Sequence, residues 1–206
     1  MLYEYLLENY NANEPIFTSD IDLGLNGNTL RSLLKQLCDQ GLLQRFDDGI
    51  FYIPSKSRLK GGVPIAASTV AKYRYIFRRG RTEGYYSGYT FANQAGINLQ
   101  VPVTVEIVSN DASAKVRDVD IRGQKIRLRK PKTTVTEENA KVLQFLDLLS
   151  DIDRLTDEND EVISKKLKSI IVSQGIKKAD IDKYISLYPV KVYKNYYEKG
   201  LYDVFA

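Results

Sequence analysis

The most constraining feature of the sequence is a polar-faced helix that a β-hairpin follows at once. Residues 28–40 place leucines at 30, 33, 34 and 37, the spacing that forms a continuous apolar stripe on a helix. Gly41 follows as the glycine expected just beyond a helix C-terminus. The segments LLQRF and GIFYI are separated at Asp47-Asp48-Gly49, in which Asp-Gly supplies a hairpin turn. A helix and a two-stranded hairpin are therefore predicted in direct succession.

The residues before this helix complete a recognisable order of elements. Residues 2–10 are predicted to form a first helix, and Ser19-Asp20 is an N-cap signal for a brief second helix over residues 20–23. Together these elements predict a winged helix-turn-helix over residues 1–54, an arrangement suited to insertion into the major groove of DNA. Winged helices also serve as protein-interaction modules, so that alternative stays open.

The side of the predicted helix opposite the leucines is polar. Its side chains can hydrogen-bond to base edges or to phosphates. They are Asn28, Thr29, Arg31, Ser32, Lys35 and Gln36. We therefore expect this face to bind double-stranded DNA.

Charge is unevenly distributed along the chain, although the net charge is only +4. Residues 61–135 contain 13 Lys and Arg against 5 Asp and Glu, whereas residues 1–60 contain 6 against 8. Residues 136–206 contain 11 against 13. Because DNA affinity normally depends on phosphate neutralisation, binding by residues 1–54 requires a local asymmetry of charge or help from the basic middle of the chain.

Composition argues against an enzyme. The chain has no histidine, which removes histidine-based acid–base chemistry, the usual catalytic triads and most zinc sites. The single cysteine, Cys38, forms no internal disulfide and is expected to be an inert, partly buried thiol. No glycine-rich phosphate-binding loop occurs. We expect no catalytic residue, no metal and no cofactor.

Two further features bear on sites and location. Asp118 and Asp120 lie two apart on a predicted strand, a spacing that can hold Mg²⁺, but their arginine neighbours favour cross-strand ion pairs instead. The uncharged stretch at residues 61–71 is too short for a membrane span, and the N-terminus lacks the pattern of a secretory signal. A cytoplasmic location without a membrane partner is therefore expected.

The middle of the chain is predicted to begin with a linker. Residues 55–64 contain Gly-Gly, Pro and the cations Lys56, Arg58 and Lys60, which either contact phosphates beside the wing or form a solvated hinge. Residues 66–79 are predicted to be a helix with a strongly basic end. The cations there are Lys72, Arg74, Arg78, Arg79 and Arg81. Tyrosines interleave with them, a mixture that suits either single-stranded bases or a protein interface.

Residues 65–206 are predicted to form a second, mixed α/β domain. A short helix before Gly96, a strand over 101–108 and a hairpin over 116–129 precede a long helix from about residue 136. Two further helices, near 161–173 and 178–186, and a tyrosine-rich end form a helical tail. The hairpin contributes a second basic cluster of Arg127, Arg129, Lys130 and Lys132. The predicted fold class of the whole chain is α+β.

The order of winged helix, basic linker and the segments GRTEGYYSGYTFANQAGINLQVPVTVEIVSN and IRLRKP resembles the AbiEi antitoxin family. Members of that family are the antitoxins of type IV toxin–antitoxin systems. The resemblance covers roughly residues 1–150 and is most specific over residues 84–110.

The resemblance implies a transcriptional autorepressor that binds inverted repeats upstream of its own operon. It also implies a C-terminal domain that counters a nucleotidyltransferase-like toxin. By position, Thr29, Arg31, Ser32 and Lys35 would contact DNA, with Arg45 on the wing. The basic antitoxin surface would consist of Lys72, Arg78, Arg79, Arg81, Arg127, Arg129 and Lys130. The chain is expected to be a monomer in solution or to bind as two protomers on DNA, the second of which inverted repeats would favour. The alternative is a stand-alone nucleic-acid-binding regulator with no toxin partner.

Overall fold

A computed structural model describes residues 1–55 and 63–205 and divides the chain into two compact units, Met1–Tyr73 and Arg74–Ala206. Most of the predicted linker, including Lys56, Arg58 and Lys60, lies outside the described residues. The two units divide after Tyr73, later in the chain than the domain boundary predicted within residues 54–65. Residues just before this division belong with the first unit, since Tyr73 is near Glu14: burial raises the pKa of Tyr73, and the Glu14 carboxylate adds to the shift.

The first unit combines two helices with a small antiparallel sheet. Its elements are α1 (Leu2–Asn9), β1 (Ile16–Phe17), a 3-10 turn (Thr18–Asp20), α2 (Gly27–Asp39), β2 (Gln44–Asp47) and β3 (Ile50–Tyr52). The strand order is β1-β3-β2. The apolar side chains of the two helices and the sheet meet in one core. That core contains Leu2, Leu6, Ile16, Leu34, Leu43, Phe51 and Ile53.

The brief helix predicted over residues 20–23 was wrong. The chain forms a 3-10 turn at Thr18–Asp20 and is extended at Ile21. The Thr18 N–H donates to the Gly49 carbonyl oxygen at 2.9 Å, which attaches the turn to the β2–β3 hairpin.

Local signals set both ends of α2. The Asn26 side chain accepts a hydrogen bond from the Thr29 N–H at 2.8 Å, an N-cap contact that satisfies one of the free donors of the first turn. At the other end Gly41 has a φ of +72°, and the Leu42 N–H donates to the Leu37 carbonyl at 3.0 Å. This is the glycine-dependent C-terminus that the sequence predicts.

The second unit contains a four-stranded sheet, a short separate hairpin and several helices. Its strands are β4 (Phe77–Arg78), β5 (Arg81–Thr82), β6 (Gly84–Tyr86), β7 (Val105–Ser109), β8 (Val116–Ile121) and β9 (Gln124–Arg129). Its helices are α4 (Gly88–Gln94), α5 (Ala140–Leu155), α6 (Asp160–Gln174), α7 (Lys178–Tyr184) and α8 (Val190–Glu198), while α3 (Ala67–Tyr75) spans the division between the units. The sheet order is β6-β7-β9-β8, with β7 and β9 parallel.

The helix predicted over residues 66–79 ends at Tyr75, so its predicted basic end is instead a hairpin. Strands β4 and β5 pair with Phe77 opposite Thr82 and Arg78 opposite Arg81. The two turn residues, Arg79 and Gly80, have φ of +50° and +74°, as in the tight turns that favour hairpins. We refer to residues 77–82 as the arginine hairpin.

Helix α5 is the centre of the second unit. It packs against β6, α4, α7 and α8, and the buried residues Val142, Leu143, Phe145, Leu146 and Leu149 lie on it. In the four-stranded sheet, Ile107 of β7 and Ile126 and Leu128 of β9 are buried on the face opposite α5. The mixture of helices and sheets confirms the α+β class. Within residues 1–55 and 63–205, no helix is long and apolar enough to span a bilayer.

Candidate nucleic-acid interface

The polar face of α2 is open to solvent. All six side chains predicted there to bind DNA are exposed: Asn28, Thr29, Arg31, Ser32, Lys35 and Gln36. The buried side of the helix is centred on Leu34, whose side chain is completely inaccessible to solvent. The helix thus contributes one side to the core and presents the other for contacts outside the unit.

An open hollow of about 570 Å³ lies between α2 and the β2–β3 hairpin, and we call it the α2–hairpin hollow. Its cationic lining comes from Arg31 and Lys35 on the helix and Arg45 on β2. Leu34 and Phe51 supply apolar lining, and Thr18, Cys38, Asp48 and Gly49 complete it. Arg31, Lys35 and Arg45 are the only lysines and arginines in residues 1–55, which contain eight acidic residues. The structure therefore brings every lysine and arginine of this segment to one place.

The three cations differ in how strongly their charge is already balanced. Arg45 forms an ion pair with Asp48, and its Nε donates to the Asp47 carbonyl at 3.4 Å. The Arg31 Nη1 donates to the Asn28 side-chain oxygen at 3.2 Å, which is a neutral partner. Among the described residues, Lys35 has no ion-pair partner. Arg31 and Lys35 thus retain their net charge at the hollow.

The remaining lining residues were not predicted from the sequence. Gly49 has a φ of +70°, and a Cβ there would lie 2.9 Å from the Thr18 Oγ1, so only glycine lets the hairpin turn approach Thr18 without strain.

Cys38 follows Arg31 by seven positions and Lys35 by three, a helical spacing that places all three on one flank. Burial raises the pKa of Cys38, the Asp39 carboxylate adds to the shift, and Arg45 partly opposes it.

The basic residues predicted to form one antitoxin surface fall in different surroundings. Lys72 belongs to the first unit and the other six to the second. In the arginine hairpin, Arg79 and Arg81 are exposed and Arg78 is half-buried. Lys130 is exposed just after β9. Strand pairing places Arg78 opposite Arg81, and Arg79 lies in the turn between them.

Arg127 lies in a row of alternating charges that crosses three strands. It is opposite Asp118 on β8 and beside Glu106 on β7. Its Nε and Nη2 donate to the two Asp118 carboxylate oxygens at 2.9 and 3.1 Å. These hydrogen bonds hold the pKa of Asp118 below its ordinary value. The cross-strand ion pair predicted for Asp118 is present, and it balances the charge of Arg127.

Arg129 is partly buried, unlike the exposed Arg127 on the same strand. Its side chain is only 27% exposed, and its Nη2 donates to Oδ2 of Asp147 on α5 at 3.2 Å. Tyr85 and Ser87 donate to the same oxygen at 3.2 and 3.4 Å. Burial raises the pKa of Asp147, and Arg129 partly opposes this. A lone aspartate within the apolar run FLDLL was the sequence signal for this buried cluster.

Comparison with known proteins places the chain in a family. The chain belongs to the DUF6088 family, a family of unknown function, whose model matches residues 12–180. The match begins in the first unit and ends in α7, so it includes parts of both units. No curated protein matches the chain. Within the described ranges, no group of three or more Cys, Asp or Glu side chains is placed to hold a metal ion.

Proposed function

We propose that this protein is a transcriptional regulator whose first unit binds duplex DNA as a winged helix-turn-helix. In this proposal α2 is the recognition helix and the β2–β3 hairpin is the wing. The succession of α1, a 3-10 turn, α2 and a two-strand hairpin supports it. So does the exposed polar face of α2, which has the hydrogen-bonding groups that base edges and phosphates require.

The observation that favours this function most is the convergence of Arg31, Lys35 and Arg45 on the α2–hairpin hollow. Residues 1–55 have an excess of acidic residues, which by itself opposes DNA binding. Because every lysine and arginine of this segment lies at one place, that place can be locally positive while the rest of the segment is acidic. This is the local asymmetry that DNA binding by the first unit requires.

The proposal gives the exposed side chains different tasks. Arg31 and Lys35 contact phosphates or guanine, and Arg45 contacts the backbone from the wing. Asn28 and Thr29 lie in the first turn of α2, where backbone N–H groups also favour an anionic partner. Ser32 and Gln36 are exposed beside the hollow and contact base edges.

The test uses the full chain and the promoter region of its own operon. The double variant Arg31→Ala/Lys35→Ala should bind this DNA more weakly by roughly 2–4 kcal/mol, with a shallower dependence on salt. Lys191→Ala/Lys194→Ala removes the same charge from the exposed face of α8 and is the matched control. Unchanged affinity in the first variant, measured by fluorescence anisotropy at several salt concentrations, would contradict the proposal.

We further propose that the protein is an AbiEi-like antitoxin that represses its own operon and counters a nucleotidyltransferase-like toxin. This part rests on the sequence resemblance and on the arginine hairpin, where Arg79 and Arg81, two members of the basic surface that the resemblance implies, are exposed.

Growth rescue tests the antitoxin role separately from DNA binding. The neighbouring open reading frame is expressed alone and then together with this protein. Toxicity that the protein relieves supports the antitoxin role. A harmless neighbour, or toxicity that persists, favours the alternative of a stand-alone nucleic-acid-binding regulator.

A further inference from the structure

The α2–hairpin hollow has the dimensions of a small-molecule site. Its volume of about 570 Å³ lies within the roughly 300–1,000 Å³ that is usual for such sites. It is formed entirely by residues of the first unit, from α2, the β2–β3 hairpin and Thr18. A space of this size accommodates an organic molecule rather than a single inorganic oxyanion.

The lining indicates the chemistry of a ligand. Arg31 and Lys35 are one helical turn apart, and like charges at this spacing repel each other, so an anionic group between them would be stabilised. The exposed edge of Phe51 and the half-buried side chain of Cys38, which behaves as a small apolar group, provide an apolar surface for the remainder of the molecule. Arg45 is already paired with Asp48, which leaves the two helix cations as the principal anion-binding groups.

We propose that the α2–hairpin hollow binds a small organic anion, with a carboxylate between Arg31 and Lys35 and a flat apolar body against Phe51 and Cys38. Charge-assisted hydrogen bonds fix the anionic end, and burial of the apolar body supplies the rest of the affinity. The hydroxyl of Thr18 is a further polar group on the lining.

Occupancy of this site would regulate DNA binding, and this consequence rests on the proposed function. A carboxylate held by Arg31 and Lys35 neutralises the two cations that the DNA proposal assigns to phosphate or guanine contacts. The ligand and DNA would therefore compete, and by linkage DNA would weaken ligand binding by the same factor.

The chain contains its own reporter for the site. Cys38 is the only cysteine of the sequence, is half-buried and lines the hollow. A bound ligand should therefore protect its thiol from alkylation by iodoacetamide. The probe is 2-naphthoate, an aromatic carboxylate, and its uncharged analogue 2-naphthalenemethanol tests whether the anionic group is needed. Inorganic phosphate tests whether an anion without an apolar body suffices.

The expected result is calorimetric binding of 2-naphthoate to the full chain, together with slower alkylation of Cys38. Arg31→Gln and Lys35→Gln should each weaken binding roughly tenfold, because each removes a charge-assisted contact. Lys191→Gln/Lys194→Gln should leave binding unchanged. The proposal is overturned if naphthoate does not bind, if it binds without protecting Cys38, or if the Gln variants bind as tightly. Equal protection by the uncharged analogue or by phosphate also overturns it.

The same samples separate this inference from the proposed function. DNA binding without naphthoate binding would eliminate the ligand site alone. Naphthoate binding without DNA binding would support the ligand site and eliminate the proposed DNA function. If both occur, saturating naphthoate should weaken DNA binding by the wild-type chain, and 2-naphthalenemethanol should not.

Discussion

The Arg129 Nη2 donates to Oδ2 of Asp147 at 3.2 Å and so links the last residue of β9 to the middle of α5. Two residues earlier on the same strand, Arg127 is exposed and paired with Asp118. Residues two apart on a strand point to the same face, so the difference between the two arginines comes from what covers that face. Near Asp147 the face is buried, whereas at Asp118 it is open to solvent.

Asp147→Asn should destabilise the second unit, because it leaves the partly buried Arg129 guanidinium without an anionic partner. Breaking a buried ion pair by removing one partner costs about 3 kcal/mol or more, and the partial exposure of Arg129 places the expected loss near that lower value. The free energy of unfolding is measured by urea titration, with hydrogen exchange of α5 as the local observable. Asp153 is an exposed residue on the same helix, and Asp153→Asn should change the free energy of unfolding by less than about 0.5 kcal/mol.

Elements with strong local signals were predictable from the sequence. The apolar stripe and Gly41 predict α2 nearly to its observed ends, Gly27 and Asp39. The turn Arg122-Gly123 predicts the β8–β9 hairpin, and both residues have positive φ in the structure. In each case neighbouring residues alone decide the conformation, so no knowledge of distant packing is needed.

Features that depend on distant partners were not predictable in the same way. The spacing of Val70, Tyr73 and Phe77 suits a helix, yet the chain turns into the arginine hairpin after Tyr75. Strand alternation assigns Arg129 to a polar face but does not say that α5 brings Asp147 opposite it. Likewise, the convergence of Arg31 and Arg45 on one hollow depends on how the hairpin packs beside α2.

The N-cap of α2 should contribute measurably to the first unit. Asn26→Ala removes the hydrogen bond to the Thr29 N–H and should lower the free energy of unfolding by about 1 kcal/mol. Gln36→Ala, on the exposed face of the same helix, should be neutral or slightly stabilising because alanine has the higher helix propensity. Hydrogen exchange measures the local stability of α2 in the Asn26→Ala and Gln36→Ala variants. Equal protection of α2 in both variants would show that the cap contributes nothing.

Gly84 should be intolerant of any side chain. A Cβ at this position of β6 would clash with the carbonyl oxygens of Tyr75 and Val108, which are backbone atoms and cannot rotate away. Gly84→Ala should therefore cost about 3 kcal/mol, the upper part of the range for overpacking. Gly96→Ala has open space but a φ of +69°, so backbone strain alone should cost roughly 1–2 kcal/mol. A smaller loss at Gly84 than at Gly96, measured by urea unfolding, would contradict this ranking.

The Asp118–Arg127 pair should make a small contribution to stability that disappears in acid. Arg127 lowers the pKa of Asp118 in the folded state, so the contribution is complete above the unfolded-state pKa of the carboxyl and is lost as pH falls through the folded-state pKa. Carbon-13 NMR of the Asp118 carboxyl measures the shift directly. Arg127→Gln should raise this pKa toward its ordinary value, whereas Arg127→Lys, which keeps the charge but loses the two-pronged hydrogen bond, should raise it less. An unchanged Asp118 pKa in Arg127→Gln would mean that the ion pair is not formed in solution, and Arg127 would then remain an unbalanced cation on the sheet surface.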